Sequence, residues 1–463
     1  MNQDGAQRPN LIVIFNDDHG AWASGPYGNP DVRTPTLDHL ARHGVVMANA
    51  FTPTPVCSPA RASFWTGKTA SQHGVHDFVA AGREYHMQDW LRGQPTLATI
   101  LSRSGYRVGM LGKWHLGQDE QPHEGFDSWF TLSGDYPVTA AGAYRFSDNG
   151  RLVTVNGFKT HILTDKAVQF IRESSEDEPF LLFVGYTATH SPWAEQPERL
   201  VDSYRPFAHR NVLNRNFVNS YPFGVLARES LLPTRANPEE ALSQYYAAVT
   251  HLDEGVARIV DELEETNQLR NTVVIYTSDH GLCFGQHGIY GKGNGTVPVN
   301  MLEDAIRIPM IFSGHHMLQG QRRAEFVDHL DLFATLLDCA RVSREHWPTG
   351  LPGWSFRALL TNEPLRRPWR TVQFGEYGPT RMVRTATHKL VCRYPQGPDE
   401  LFDLVADPQE TVNLLQSGEA EGLRRELEAR IDDYFAAIEE AHASGLRAAQ
   451  VPWPNPAPPW ALS

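Results

Sequence analysis

The chain has 463 residues, 41% hydrophobic and 21% charged, an ordinary globular composition that excludes disorder, collagen-like repeats or coiled coil as descriptions of the whole. At roughly 150 residues per domain, the length allows up to about three units with sizeable cores. Lys and Arg number 41 against 54 Asp and Glu, a net charge of −13, which argues against a nucleic-acid or anionic-membrane partner; an anion handled here must meet local positive charge.

The N-terminus, MNQDGAQRPN, has no basic stretch before an apolar one, and nowhere do 18 apolar residues run together. The chain reads as soluble and cytoplasmic by default, with an exported form left open. Residues 11–15, LIVIF, form a short apolar run that stops at Asn16-Asp17-Asp18-His19-Gly20, the pattern of a buried strand ending in a polar loop. Thr34-Pro35 opens a helix carrying Leu37, Leu40 and Ala41. Further strands are predicted at Arg107–Leu111, Phe180–Val184, Val273–Thr277 and Pro309–Phe312. Between them, Asn237-Pro238-Glu239-Glu240 starts a long helix with an Asn cap, Pro in the first turn and then acids. Strand–helix alternation of this kind predicts an α/β fold with a large, mainly parallel sheet flanked by helices.

Residues 1–345 are read as the main unit, with 193–236 as an irregular insertion over one rim, a candidate substrate lid. Prolines mark 346–370 as a connecting region. Short alternating segments and a helix at about 418–442 predict a smaller α+β unit over 371–445, and 446–463 is a Pro-rich tail. Cys57, Cys283, Cys339 and Cys392 lie too far apart for a disulfide framework or a zinc knuckle.

Two loops carry candidate metal chemistry. Asp17-Asp18 follows the first strand, where open α/β sheets collect ligands, and adjacent carboxylates repel unless a cation sits between them. Ser278-Asp279-His280-Gly281 follows another apolar strand. Asp17, Asp18, Asp279 and His280 together make a mostly oxygen ligand set suited to one hard divalent cation, calcium ahead of magnesium or manganese. The His280 nitrogen is the less usual donor for calcium.

Cys57-Ser58-Pro59-Ala60-Arg61, followed by Ala62 to Thr66-Gly67, resembles the Cys-x-Pro-x-Arg signature of type I sulfatases. Thr34-Pro35-Thr36-Leu37-Asp38, Gly112-Lys113-Trp114-His115-Leu116-Gly117, His190-Ser191-Pro192-Trp193, Glu303-Asp304-Ala305-Ile306-Arg307-Ile308-Pro309 and Glu400-Leu401-Phe402-Asp403-Leu404 resemble further family blocks, in order, over most of the chain. The resemblance implies an alkaline phosphatase-like fold. It implies that a formylglycine-generating enzyme oxidises Cys57 to formylglycine, which may also contact the ion, and that the hydrated aldehyde attacks a sulfate ester. Arg61 would hold the diol and support the metal site, and Lys113 and Lys292 would grip the sulfate. His190 would protonate the leaving alcohol and His115 would take the proton that lets sulfate leave. Only six lysines occur, which favours deliberate placement of Lys113 and Lys292. His115 lies two residues after Lys113, so an extended segment would aim both to one side.

Ala60 stands where the family often has Ser, His280 where many members have Asn, and the segment after Lys292 is longer than the commonest spacing. The implied substrate is a carbohydrate or small organic sulfate. A phosphonate monoester or phosphodiester hydrolase would share nearly all these residues, and a non-catalytic anion- or glycan-binding protein would leave Cys57 unconverted. Trp114, Tyr136 and Trp193 are candidates for stacking on a ring, and Cys283 reads as a small buried thiol.

Overall fold

The first apolar run becomes strand β1 (Asn10–Asn16), buried along its whole length. Leu11, Val13 and Phe15 join one core, and Ile12 and Ile14 join another. A strand apolar on both faces belongs inside a sheet covered on both sides. The computed structural model describes residues 7–80, 83–133, 139–175, 177–206, 224–226, 231–365 and 367–450.

The sheet is built from β1, β2 (Gly44–Phe51), β3 (Arg107–Gly112), β4 (Ser128–Leu132), β5 (Ala141–Asp148), β6 (Arg151–Phe158), β7 (Phe180–Gly185), β8 (Thr272–Ser278), β9 (Arg307–Ile308), β10 (Met310–Gly314) and β11 (Gln321–Asp328). Its order is β2–β10–β8–β1–β7–β3–β4–β5–β6, with β9 also along β2 and β11 parallel to β2. β8, β1, β7, β3 and β4 run parallel. β10 runs against both β8 and β2, so β2 points the same way as β8. The carboxyl ends of β1, β2, β3, β7 and β8 therefore open on one side.

One face is covered by α2 (Cys57–Thr66), α3 (Leu97–Arg103) and α6 (His329–Cys339), whose apolar side chains share a core with Val13 and Phe15. The other is covered by α1 (Pro35–Arg42), α4 (Lys159–Arg172) and α5 (Pro238–Glu265). The start of α5 follows its sequence signal: the Asn237 side chain accepts the Glu240 N–H at 3.2 Å. The apolar-run reading omits β2, β4, β5, β6, β9 and β11. β6 is mostly exposed and β11 opens with Gln321-Arg322-Arg323, so neither shows a continuous apolar stretch.

A second, antiparallel sheet comprises β12 (Gln373–Tyr377), β13 (Thr380–Arg384), β14 (His388–Arg393) and β15 (Glu400–Asp403), in chain order. Helix α7 (Glu421–Ile438), shorter than the predicted 418–442, lays Leu427, Ile431 and Phe435 against it. Buried ions join this sheet to the main one. Lys389 Nζ donates to the Met301 carbonyl at 2.6 Å and pairs with Glu303 and Glu410, while Arg384 pairs with Glu303 at 3.2 Å. Phe356, Leu359 and Leu360 of the 346–370 region pack into the core of the main sheet. In the 193–236 segment, Trp193, Leu200, Val201, Tyr204 and Leu231 are buried against α5, so its described ends belong to the core. Residues 207–223 and 227–230 lie outside the described residues, as do Tyr136 and 451–463.

His73, His251 and His329 are fully enclosed, and burial holds each below its ordinary pKa, His251 and His329 at about 4. These rings are neutral in the folded chain and protonate near 6.5 once unfolded. Their contribution is complete above about pH 6.5 and is lost as pH falls toward 4. Melting temperature should therefore fall steadily across that window, and His329→Gln should flatten the slope. A profile identical in the variant would show that His329 does not contribute.

Candidate active site

The loops after β1, β2, β3, β7 and β8 contribute. β1 delivers Asp17 and Asp18, β2 leads through Val56 into Cys57 at the start of α2, β3 delivers Lys113 and His115, β7 leads to His190, and β8 delivers Asp279 and His280. Lys292 arrives on the loop after β8. The ten residues singled out in the sequence fall in one pocket, and nine are at least nine-tenths buried. The exception is His190, whose side chain is 28% exposed.

Arg61 sits beneath the pocket. Its Nη2 bonds Asp17 Oδ2 at 3.2 Å and Asp279 Oδ2 at 3.0 Å, and its Nη1 donates to the Lys113 carbonyl at 2.8 Å. Lys113 Nζ also pairs with Asp17 Oδ2. Lys292 Nζ lies 2.8 Å from Asp18 Oδ1 and 2.9 Å from Cys57 Sγ. Three carboxylates thus face three fixed cations, a balanced set in which each charge is countered by a neighbour rather than by water.

Asp18 and His115 both adopt left-handed backbone, with φ of 62° and 61°. Such conformations are costly outside glycine and persist where surroundings enforce them. The Asp18 N–H donates to Asp279 Oδ1 at 3.3 Å, and its carbonyl accepts from Thr189 at 3.0 Å and from the Tyr245 hydroxyl at 2.9 Å. The His115 N–H donates to Asp119 Oδ1 at 3.0 Å. The segment from Lys113 is therefore turned at His115 rather than simply extended. Thr189, Asp119 and Tyr245 were not visible as site residues in the sequence, because each acts on a backbone group brought to it by the fold.

Charge around Cys57 is distinctive. Burial raises its thiol, but Lys113, Lys292 and His280 outweigh burial and hold it well below the usual value. Burial likewise opposes ionisation of Asp17, yet Lys113, His190 and Lys292 keep that carboxyl below its ordinary range. Asp279 is pushed up to about 6 by burial and then by the charge of Asp17. Burial lowers His115 to about 4, reinforced by Lys113, so the ring is neutral. Its Nε2–H donates to the Val79 carbonyl at 3.0 Å.

The donor set fits a divalent cation. Ligand atoms of Asp17, Cys57, Asp279 and His280 lie within 4.8 Å of one another, as do those of Asp17, Asp18 and His190. His280 Nδ1–H donates to the Gly281 carbonyl at 2.9 Å, which leaves Nε2 toward Asp279 Oδ1 and Cys57 Sγ, each at 3.4 Å. A backbone acceptor on the far nitrogen is how proteins orient a ligating imidazole. A cation there would also relieve the repulsion between Asp17 and Asp279. Since the charges already balance, it would leave the pocket net positive and ready for an anion.

The two described tryptophan candidates do not face a ligand. Trp114 is 1% exposed and packs on Trp65, Phe126 and Trp129, and the Trp193 Nε1–H donates to the Thr189 carbonyl at 2.8 Å. Cys283 is fully buried, as expected of an inert thiol, and burial pushes its pKa well up.

The sequence profile described as Sulfatase matches residues 9–342, and that described as N-sulphoglucosamine sulphohydrolase, C-terminal, matches residues 285–437. The N-acetylglucosamine-6-O-sulfatase of Bacteroides thetaiotaomicron is 26% identical over 91% of this chain and 85% of its own length. The human N-sulphoglucosamine sulphohydrolase is 27% identical over 91% of this chain and 81% of its own. A solved structure in complex with its substrate, D-glucosamine-2-N,6-O-disulfate, superposes with a TM-score of 0.79 at 24% identity, covering 93% of this chain and 98% of that one, and shares the fold.

Removing Arg61 would leave two buried carboxylates without their shared partner. Arg61→Ala should cost about 3–5 kcal/mol of stability, and Arg61→Lys should recover only part, because an ammonium cannot reproduce the planar fork. Denaturant unfolding measures both; an Ala variant as stable as the parent would refute this account of Arg61.

Proposed function

The chain belongs to the sulfatase family of sulfuric ester hydrolases, and we propose that it hydrolyses sulfate esters of carbohydrates at Cys57 after conversion of that residue to formylglycine. The observation carrying this reading is the place of Cys57 Sγ: 2.9 Å from Lys292 Nζ, 3.4 Å from His280 Nε2 and 3.6 Å from Asp17 Oδ1. The sulfur marks where the oxygens of the converted residue would stand, among the groups that would hold a metal and an anion. The amino-sugar names of the two relatives support a carbohydrate substrate, and the 6-O-sulfatase name supports an ester.

The aldehyde hydrate supplies two hydroxyls on one carbon, one to attack sulfur and one to expel sulfate afterwards. Asp17, Asp18, Asp279 and His280 would hold the divalent cation, which supplies Lewis-acid polarisation of the sulfate. Calcium fits the three carboxylates; the imidazole nitrogen keeps magnesium and manganese in contention.

The remaining work falls to the chain's own groups. Lys113 and Lys292 neutralise charge on the sulfate oxygens from fixed positions that need no rearrangement. Arg61 keeps Asp17 and Asp279 aligned beneath them. His190 Nδ1–H bonds the Ser191 carbonyl at 2.6 Å, which turns Nε2 toward the pocket, 4.0 Å from Asp18 Oδ2. A proton carried on that nitrogen would reach the leaving alcohol at the open side. His115, neutral and with Nε2–H engaged by Val79, can accept a proton on its other nitrogen.

Protein co-expressed with a formylglycine-generating enzyme should release sulfate from N-acetylglucosamine 6-sulfate, with the mass of the peptide spanning Cys57 reporting conversion. Cys57→Ala should lower the rate roughly a thousand-fold or more. Faster turnover of phenyl phosphonate than of any sulfate ester would favour a phosphonate hydrolase instead, and an unconverted thiol without turnover would favour a binding protein. Chelation should abolish activity, and adding back calcium, magnesium or manganese separately should rank the ions. Full activity in excess chelator would remove the metal from the account.

A further inference from the structure

Helix α2 begins with Cys57, and the next residue, Ser58, is fully enclosed. Serines near a helix start commonly bond the backbone of their own turn. Ser58 bonds two distant loops instead. Its Oγ donates to the His115 carbonyl at 2.7 Å and accepts the Val79 N–H at 2.9 Å. The Val79 carbonyl accepts the His115 Nε2–H at 3.0 Å, and the side chains of His115 and Cys57 are hydrogen-bonded to each other. These contacts close a circuit. It runs from Cys57 to Ser58 along the chain, through one hydroxyl to Val79 and to the His115 backbone, then through the His115 imidazole back to Cys57.

The circuit holds a residue whose backbone is strained. His115 has a left-handed φ of 61°, which persists only while its surroundings enforce it. Asp119 fixes the His115 N–H, and Ser58 fixes the carbonyl on the other side of the same residue. Val79 belongs to no helix or strand, so no ladder meets its N–H; the Ser58 hydroxyl does. Without that hydroxyl, an enclosed carbonyl and an enclosed amide would both lose this partner and shift toward others. The Val79 carbonyl would carry the imidazole with it. The bonds of Ser58 go neither to the three buried carboxylates nor to the ammonium groups of Lys113 and Lys292. Its effect therefore falls on His115.

We propose that Ser58 is a positioning residue for His115: one hydroxyl, on the residue after the nucleophile, sets where the imidazole stands relative to position 57. The inference rests on the sulfatase reading above, in which His115 takes the proton that lets sulfate leave. Loss of the Ser58 hydroxyl then slows the release of sulfate, and leaves substrate binding and the earlier departure of the alcohol intact.

Two measurements test this, one of them without turnover. In unconverted protein, nuclear magnetic resonance follows the His115 Nε2 proton, identified by its absence in His115→Gln. It should exchange with solvent about ten-fold faster, or more, in Ser58→Ala than in the parent. In converted protein acting on N-acetylglucosamine 6-sulfate, rates are taken per converted residue, measured by peptide mass, because Ser58 adjoins Cys57. Ser58→Ala should lower kcat about ten-fold or more and leave KM within about two-fold. The alcohol should still appear in an initial burst of about one per converted site. Ser58→Thr and Ser58→Val add the same bulk and differ in the hydroxyl, so they repeat the comparison should Ser58→Ala melt early; Thr should behave as the parent and Val as Ala. Parent-like proton exchange in the variants lacking the hydroxyl would overturn the proposal. So would a loss confined to KM, or a burst that shrinks in proportion to the rate, which would mean fewer folded sites. Hydroxyl-dependent exchange in a protein that, once converted, hydrolyses no sulfate ester would sink the sulfatase reading and leave the hold of Ser58 on His115 standing.

Discussion

The structure depends on how three carboxylates can be enclosed together. Asp17, Asp18 and Asp279 are removed from water at the ends of neighbouring parallel strands, where their repulsion would be prohibitive if unopposed. Arg61 bridges two of them with one guanidinium nitrogen, Lys113 pairs with Asp17, and Lys292 pairs with Asp18. Each of these cations comes from a different element: α2, the loop after β3 and the loop after β8. The charge balance consequently ties together parts of the chain that lie far apart in sequence. The same balance gives the pocket its chemistry, since adding a divalent cation to an already neutral set creates an excess of positive charge that an anionic ester would satisfy.

Around this centre the protein spends interactions on backbone shape. Asp18 and His115 hold left-handed conformations, and neighbours bond their backbone groups: Asp279, Thr189 and Tyr245 at Asp18, and Asp119 at His115. Strain at these two residues turns each side chain out of the direction its strand would give it. The second sheet contributes through a different device. The buried cluster of Lys389, Glu303, Glu410 and Arg384 fixes it to the segment that precedes β9, which runs close behind Gly281 at the end of the His280 loop. That juncture connects the smaller sheet to one wall of the site.

Much of this could be read in advance. LIVIF, Phe180–Val184 and Val273–Thr277 read as buried strands of a mainly parallel sheet, because runs apolar at nearly every position leave little face for water. Their polar endings then marked where a ligand would gather. Local signals also fixed the start of α5, since an Asn cap followed by Pro and two acids satisfies orphaned amides without help from elsewhere. The half-exposed hairpin of β5 and β6 and the polar opening of β11 gave no such signal; those strands exist because a neighbour supplies their hydrogen bonds. The scarcity of lysine drew attention to Lys113 and Lys292, both of which the fold brings to the buried carboxylates.

The sequence by itself determined which strands are buried, where the chain turns polar, and which residue types stand ready for metal and anion chemistry, because those properties are carried by adjacent residues. Tertiary structure alone decided that one guanidinium serves both Asp17 and Asp279, and that Trp114 and Trp193 belong to the core rather than to a sugar platform. These are relations between distant segments, and Coulomb and packing energies depend on separation in space, which no local pattern encodes.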